Sequence, residues 1–305
     1  MDVSVIIVNY NTKKLTNECI NSIFCQTYGV SYEVILVDNA STDGSVETFE
    51  KDNRIRFVKS DKNLGFGRAN NLGFQYASGK YLFLLNSDTL LLNNAIYEFF
   101  VYLESSPNRI GCVGCELIDE VGVPSYSFGI FPNIKFFLGK ILGEYYINPS
   151  FFSFPNNSSS KHPLIVDYSS GADMFIRHSV VDTCGLFDPD FFMYFEEVEM
   201  QHRFRENGFF SQIIETPKIA HLTGGSGLKK GKNTSARIKI IELESRFIYS
   251  RKVFSTTKYM LISLLHLMLI PRVLLYKFTW SEKKLLLSVI IRNICRQKGS
   301  SIFFL

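Results

Sequence analysis

Residues 3–12 read VSVIIVNYNT, and residues 33–45 (EVILVDNASTDGS) and 81–89 (YLFLLNSDT) repeat the same design. Each carries an unbroken apolar run, the pattern of a strand covered on both faces in a parallel sheet. Each then stops in a polar turn: Asn9-Tyr10-Asn11-Thr12, Asp38-Asn39 and Asn86-Ser87-Asp88. Between them lie segments with helical spacing. Leu15, Cys19, Ile23 and Phe24 recur on one face behind Thr12, a candidate N-cap, and Gly65–Ala77 reads as another helix.

Outward from this block, Ile55–Val58 and Ile110–Leu117 are further strand candidates and Asn93–Leu103 a helix. Residues 120–165, rich in aromatics, Ser, Asn and Pro, are expected to form loops over the site. Regularity resumes with a strand at Gly171–Arg177, helices at Ser179–Cys184 and Phe195–Glu206, closed by Gly185 and Gly208, and a strand at Phe210–Ile214. Alternating strands and helices indicate an α/β fold with a doubly wound, mostly parallel sheet, whose ligands bind beyond the carboxyl ends of the strands. Asn9, Tyr10, Asn11, Asp38, Ser87 and Asp88 all fall at such ends.

Charge divides the chain. Residues 1–228 hold 17 Lys and Arg against 26 Asp and Glu, net −9, whereas residues 229–305 hold 16 against 3, net +13. The basic part is also apolar, with Tyr259–Ile270 reading YMLISLLHLMLI before Pro271 and a second run at Leu285–Ile294. That combination favours helices lying in an anionic membrane interface over nucleic acid, since the first run is shorter than a bilayer span. The alternative is an ordinary helical cap. Met1-Asp2 leads straight into a strand without a signal peptide, so a cytoplasmic, peripheral protein on the inner face of the membrane is expected. The sequons at Asn156, Asn157 and Asn233 are then chance matches. Six cysteines, Cys295 among them, make no disulfide framework in 305 residues, and Cys112-Val-Gly-Cys115 reads as a buried strand.

In order and at strand ends, VSVIIVNYNT, EVILVDNASTDGS, NLGFGRANNLGF (63–74) and YLFLLNSDT resemble the family-2 glycosyltransferases and their GT-A nucleotide-sugar-binding fold. The resemblance covers roughly residues 2–225. It implies a nucleotide-binding half, 1–118, and an acceptor and catalytic half, 119–228, followed by the tail, 229–305. It also implies that Asp38 accepts from the base or ribose, with Tyr10 and Asn11 lining the pocket. Asn63, Gly65 and Asn71 would lie near the donor, and Arg68 would face the diphosphate or solvent. Asn86-Ser87-Asp88 stands where the family carries D-x-D, so Asp88 would bind Mg²⁺ or Mn²⁺. With Asn86 replacing the first acid, His221 is the candidate second ligand. A hard cation seeks such oxygens and bridges a diphosphate.

Glu196-Glu197-Val198-Glu199 follows FDPDFFMYF (187–195) and resembles the family's E-D motif, in which the second acid is the general base. Glu197 is the match, with Glu196 the alternative; the bland reading is that acids in a first helical turn complement the dipole. Glu199 and Arg203 are spaced for a salt bridge. Ser170-Gly171-Ala172 resembles a segment close to the donor sugar or acceptor, and Ser125–Asn133 resembles a rhamnosyltransferase-like branch. The implied reaction is inverting transfer from a UDP- or dTDP-sugar, dTDP-rhamnose included, to a hydroxyl of a glycan or lipid-linked acceptor in surface polysaccharide synthesis. Two alternatives stand: a sugar nucleotidyltransferase, disfavoured by the lack of a Gly-rich basic loop after the first strand, and a non-catalytic membrane-surface scaffold that binds nucleotide sugars.

Overall fold

The computed structural model describes residues 1–142, 163–222 and 236–294. The elements run β1 (Val3–Asn9), α1 (Lys13–Gln26), β2 (Tyr32–Asp38), α2 (Ser45–Phe49), β3 (Arg56–Lys59), α3 (Phe66–Phe74), β4 (Tyr81–Asn86), β5 (Thr89–Leu91), α4 (Ala95–Ser105) and β6 (Ile110–Cys115). They continue with β7 (Phe128–Gly129), α5 (Ile134–Leu142), β8 (Leu164–Val166), β9 (Tyr168–Ser169), β10 (Asp173–Arg177), α6 (His178–Cys184), α7 (Glu196–Glu206), β11 (Phe210–Ile214) and β12 (Ile219–His221). Four helices follow: α8 (Ala236–Val253), α9 (Thr256–Leu265), α10 (Leu269–Leu275) and α11 (Trp280–Ile294). Outside the described residues lie Cys295, Arg296, Lys298, the three sequons, His162 and the Gly-rich turn after His221, with the centre of the expected 120–165 loops.

The main sheet has eight strands in the order β3-β2-β1-β4-β10-β6-β11-β8. β1 pairs in parallel with β2 and β4, β2 with β3, and β6 with β11, while β10 runs antiparallel between β4 and β6. Both faces are covered, as the unbroken apolar runs require. Within β1, Val3, Val5 and Ile7 enter one core with Ile20, Ile23 and Phe99, while Ile6 enters the other with Ala69, Met200 and Phe204. Side chains alternate across a strand, so a one-residue slip would exchange the two cores. Cys112 and Cys115 are buried in β6, as expected of a strand.

A two-stranded ribbon, invisible to hydrophobic periodicity, decides where the site forms. β5 and β12 pair antiparallel with Thr89 opposite His221, and the Leu222 N–H donates to the Asp88 carbonyl at 2.8 Å. Residues 88 and 221 are thereby neighbours.

The expected limit of the apolar run at Pro271 is overturned. A 3-10 turn, His266–Met268, joins α9 to α10, and Pro271 falls in the first turn of α10, where its missing N–H breaks no ladder. The result is a 20-residue helical stretch, Thr256–Leu275, long and apolar enough to cross a membrane, contrary to the expectation of a run too short to do so, with 35% of its apolar window buried. Tail helices share a core of Leu243, Phe247, Tyr259, Leu269, Val273, Leu286 and Ile290. Packing also continues across the charge change near residue 228: Ile248 and Tyr249 of α8 join Phe191, before α7, and Val198 within it.

Candidate active site

At the nucleotide end, Asn9 and Asp38 lie opposite each other in register on β1 and β2, both wholly buried. Asn9 Nδ2 donates to Asp38 Oδ2 at 2.8 Å, and the Ser41 N–H donates to Asp38 Oδ1 at 2.9 Å. Asn9 Oδ1 accepts from Thr12 and Thr16 hydroxyls at 2.9 and 2.8 Å. Thr12 therefore spends its hydroxyl on Asn9 and makes no side-chain N-cap bond. Asn9 and Asp38, expected beside the nucleotide, are thus both wholly buried and bonded to one another in this structure. Both are floor, held together because an unpaired buried carboxylate is costly. Above them, Tyr10 is 44% exposed and Asn11 sits at φ 55°, accepting from the Thr42 N–H at 2.7 Å. Those two are open to a ligand.

Asn39, missed in the sequence, ties the floor to the next loop. Its amide donates to Asn63 Oδ1 (3.0 Å) and accepts from the Leu64 N–H (2.8 Å). Asn71 binds the Phe187 backbone through both amide atoms, at 2.7 and 3.1 Å, and Arg68 Nε donates to the Pro189 carbonyl at 2.6 Å. Arg68 and Asn71, expected near the donor, thus fasten the loop that precedes Glu196.

At the metal end, His221 Nε2 lies 3.3 Å from Asp88 Oδ1, with Asp88 nearly buried and His221 partly open. Ser87 Oγ sits 3.1 Å from Thr12 Oγ1, linking this turn to the nucleotide floor. Among the described residues no group of three or more His, Cys, Asp or Glu could hold a metal. The donor set is one carboxylate and one imidazole. It fits a cation that takes its remaining ligands from diphosphate and water, and an imidazole suits Mn²⁺ better than Mg²⁺. Nearby Asp173 is fully buried. Its Oδ2 accepts from the Cys115 N–H at 2.7 Å, its Oδ1 has no partner, and burial pushes its carboxyl up to about 7.

At the base end, Glu196 and Glu197 open α7. Glu196 is buried and its Oε2 has no partner, while Glu197 is partly open. Burial raises both carboxyls above the usual range, and the charge of Glu197 pushes Glu196 further. Desolvation here outweighs the pull of the helix N-terminus. A proton acceptor must be reachable, which favours Glu197. A Cβ on Gly171 would lie 3.8 Å from Glu197 Cβ, and Ala172, the next residue, accepts the Asn86 N–H at 3.0 Å. Glu197 and the Asn86–Asp88 turn therefore flank a single short segment, Ser170–Asp173. Tyr126 and Tyr168, whose hydroxyls are 2.6 Å apart, complete this end, and the Glu197 charge adds to burial in raising both phenols.

The turn before Glu196 is strained. Tyr194 (φ 72°) and Phe195 (φ 68°) both occupy the left-handed region, at a cost of about 1–3 kcal/mol each. Glu199 is the expected salt bridge to Arg203, at 2.8 Å, and Arg203 also binds carbonyls of Cys184, Gly185 and Leu186.

The profile described as Glycosyl transferase family 2 matches residues 4–177. The chain belongs to glycosyl transferase family 2. It is 25% identical over 258 residues to the low-salt glycan biosynthesis hexosyltransferase Agl10 of Haloferax volcanii, covering 83% of this chain and 77% of that one. Over 102 residues it is 38% identical to the glycosyltransferase GlyG of Streptococcus pneumoniae, a match spanning 32% of this chain and only 34% of the relative. In fold it is similar to the mannosyltransferase PcManGT of Pyrobaculum calidifontis, described in complex with GDP-Man and Mn2+, with a TM-score of 0.58 and 15% identity over 96% of this chain and 87% of that one.

In this family-2 chain, Gly65 packs against the loop that precedes α7. It sits at φ 83°, a Cβ there would overlap the Phe192 carbonyl oxygen, and the Phe66 N–H donates to that same carbonyl at 2.9 Å. Gly65→Ala is expected to lower stability by about 2 kcal/mol or more, since steric overlap adds to the left-handed φ. Urea unfolding measures it; an unchanged midpoint would show that the loops part at no cost.

Proposed function

We propose that this enzyme catalyses inverting, metal-assisted transfer of a sugar from a UDP- or dTDP-sugar to a hydroxyl of a glycan or lipid-linked saccharide. One observation carries the reading: the Asp88–His221 pair and Glu197 border the same Ser170–Asp173 segment from two sides. Asp88 and His221 would hold Mg²⁺ or Mn²⁺. When bound, that cation neutralises charge developing on the departing diphosphate. Tyr10 and Asn11 offer the open surface against the nucleotide. Glu197 takes the proton of the acceptor hydroxyl as its oxygen bonds the anomeric carbon, the bond from that carbon to the diphosphate oxygen breaks, and nucleoside diphosphate leaves. Attack from the side of the base inverts the anomeric centre, as a single displacement requires.

The reading is tested by incubating the protein with a panel of UDP- and dTDP-sugars and an acceptor pool, with and without Mn²⁺, and measuring nucleoside diphosphate release. Metal-dependent turnover with at least one donor supports it. Donor binding without turnover would instead favour the scaffold.

The same proposal places the protein on an anionic membrane face in the cytoplasm. Met260, Leu261, Leu264, Leu267, Met268, Leu274 and Leu275 are all exposed, Leu275 by 83%, and they recur at helical spacing along α9, the 3-10 turn and α10. Lys258 of α9, Lys277 just after α10 and Lys284 of α11 are exposed as well. A water-facing helix does not carry such a stripe, whereas a lipid interface rewards it. The double substitution Leu264→Glu and Leu275→Glu is expected to abolish flotation with phosphatidylserine-containing vesicles at unchanged thermal stability. Retained flotation would reduce the stripe to an incidental surface.

A further inference from the structure

Bonds from five residues converge, from two directions, on the short loop Phe187–Phe195. From the nucleotide side come Arg68 to the Pro189 carbonyl, Asn71 to Phe187 and the Phe66 N–H to the Phe192 carbonyl. From the opposite side comes α8. Lys252 Nζ lies 2.7 Å from Asp188 Oδ2 and 2.8 Å from Asp190 Oδ2, and Ser245 Oγ donates to the Met193 carbonyl at 2.7 Å. Tyr249, on the same face of α8, packs its ring 5.6 Å from Phe195.

A lysine in the last turn of a helix ordinarily needs no explanation beyond the dipole. Lys252 differs because it joins two carboxylates more than sixty positions away in the chain, with its side chain only 26% exposed. Ser245 fastens the carbonyl of the residue just before the strained pair Tyr194–Phe195. A left-handed conformation at two consecutive bulky residues persists only where its surroundings over-determine it. The loop ends at Phe195, and the next two residues are Glu196 and Glu197. Whatever holds the loop therefore sets the direction of the first turn of α7.

We propose that Lys252 and Ser245 are positioning residues for the general base, making α8 the outer wall of the active site and not only the root of the membrane-facing helices. This rests on Glu197 being the base. Neither residue touches the Asp88–His221 pair or the Asn9–Asp38 floor, so the loss falls on the chemical step and spares donor binding.

The test is steady-state kinetics of full-length Lys252→Met, Lys252→Arg and Ser245→Ala on a donor that turns over, with Glu197→Gln beside them. Lys252→Met is expected to lower kcat about 10–100-fold while donor KM stays within about threefold, the scale of a displaced catalytic group. Arginine can bridge both aspartates, so Lys252→Arg should recover most of that loss. Ser245→Ala, which removes one hydroxyl and no charge, should fall in the same direction by a smaller factor, and it carries the test if Lys252→Met fails to fold. Wild-type kcat in Lys252→Met, or in Ser245→Ala where the former is unfolded, overturns the proposal, as does a rise in donor KM with kcat unchanged. An active Glu197→Gln enzyme would instead overturn the assignment of the base.

Discussion

Glu197→Gln is expected to lose about 10²–10⁴-fold in kcat, the usual worth of a positioned general base, while folding at least as stably as the parent. The amide keeps the shape and the contact beside Gly171 but cannot take a proton. Stability should hold or rise because burial and mutual repulsion hold Glu196 well above the carboxylate range, and the substitution removes the repelling charge. Activity and stability thus move in opposite directions, which a merely damaged protein cannot imitate. Glu196→Gln is expected to be stabilising with turnover reduced less than about tenfold, since that side chain is buried away from the acceptor.

The same carboxyls fix the pH dependence. Burial raises Glu197, so the base is charged only above a pH higher than the ordinary glutamate range, and kcat falls as pH drops through that raised value. The sign for stability is reversed relative to a salt-bridged acid. A carboxyl raised in the fold contributes stability in full below its unfolded pKa, and that contribution is lost as pH rises through the folded value. The parent should therefore lose stability across the interval in which it gains activity. Glu197→Gln should flatten both trends, and pH-rate and thermal-melt series on the two proteins measure it.

Asp88→Asn carries the second large effect, an expected fall of about 10²–10³-fold in kcat/KM with loss of the metal response, consistent with the several kcal/mol a cation contributes at a developing charge. Asp88 is the only carboxylate paired with His221 among the described residues. Its backbone bond to Leu222 does not depend on the side chain, so the β5–β12 ribbon should survive. The Mn²⁺-dependent part of any donor-induced thermal shift should vanish, leaving the unliganded melting temperature within about 2 °C of the parent, because the replacement is nearly isosteric. An unaltered metal response would remove Asp88 from the cation site.

How far the chain could be read from its letters follows from what each signal encodes. Seven of the eight strands of the main sheet were legible, most of them because burial on both faces writes apolar runs, and the turns after β1, β2 and β4 stood out against them; β8 and α5 were not, falling in the aromatic stretch read as loops. Asp88, Glu197 and His221 followed from the resemblance, and β12 then supplied the register that joins residue 221 to residue 88. Roles inside the polar turns were not legible. Asn9, Arg68 and Asn71 are the residue types a donor pocket uses, and only their burial and backbone partners reveal that they fasten loops. Pro271 reads as a helix end until the 3-10 turn before it is seen. Lys252 has no signature at all, since an ion pair to residues 188 and 190 leaves no period in the sequence.

The most direct measurement is the configuration of the sugar in the first product formed. Transfer from an α-linked donor, followed by proton NMR of the anomeric signal of the transferred sugar, should give a β-linked product, because one base opposite the diphosphate permits a single displacement. An α-linked product would require a second displacement or a same-face attack, and would contradict the assignment of Glu197 and the Asp88–His221 pair to opposite sides of the reacting carbon.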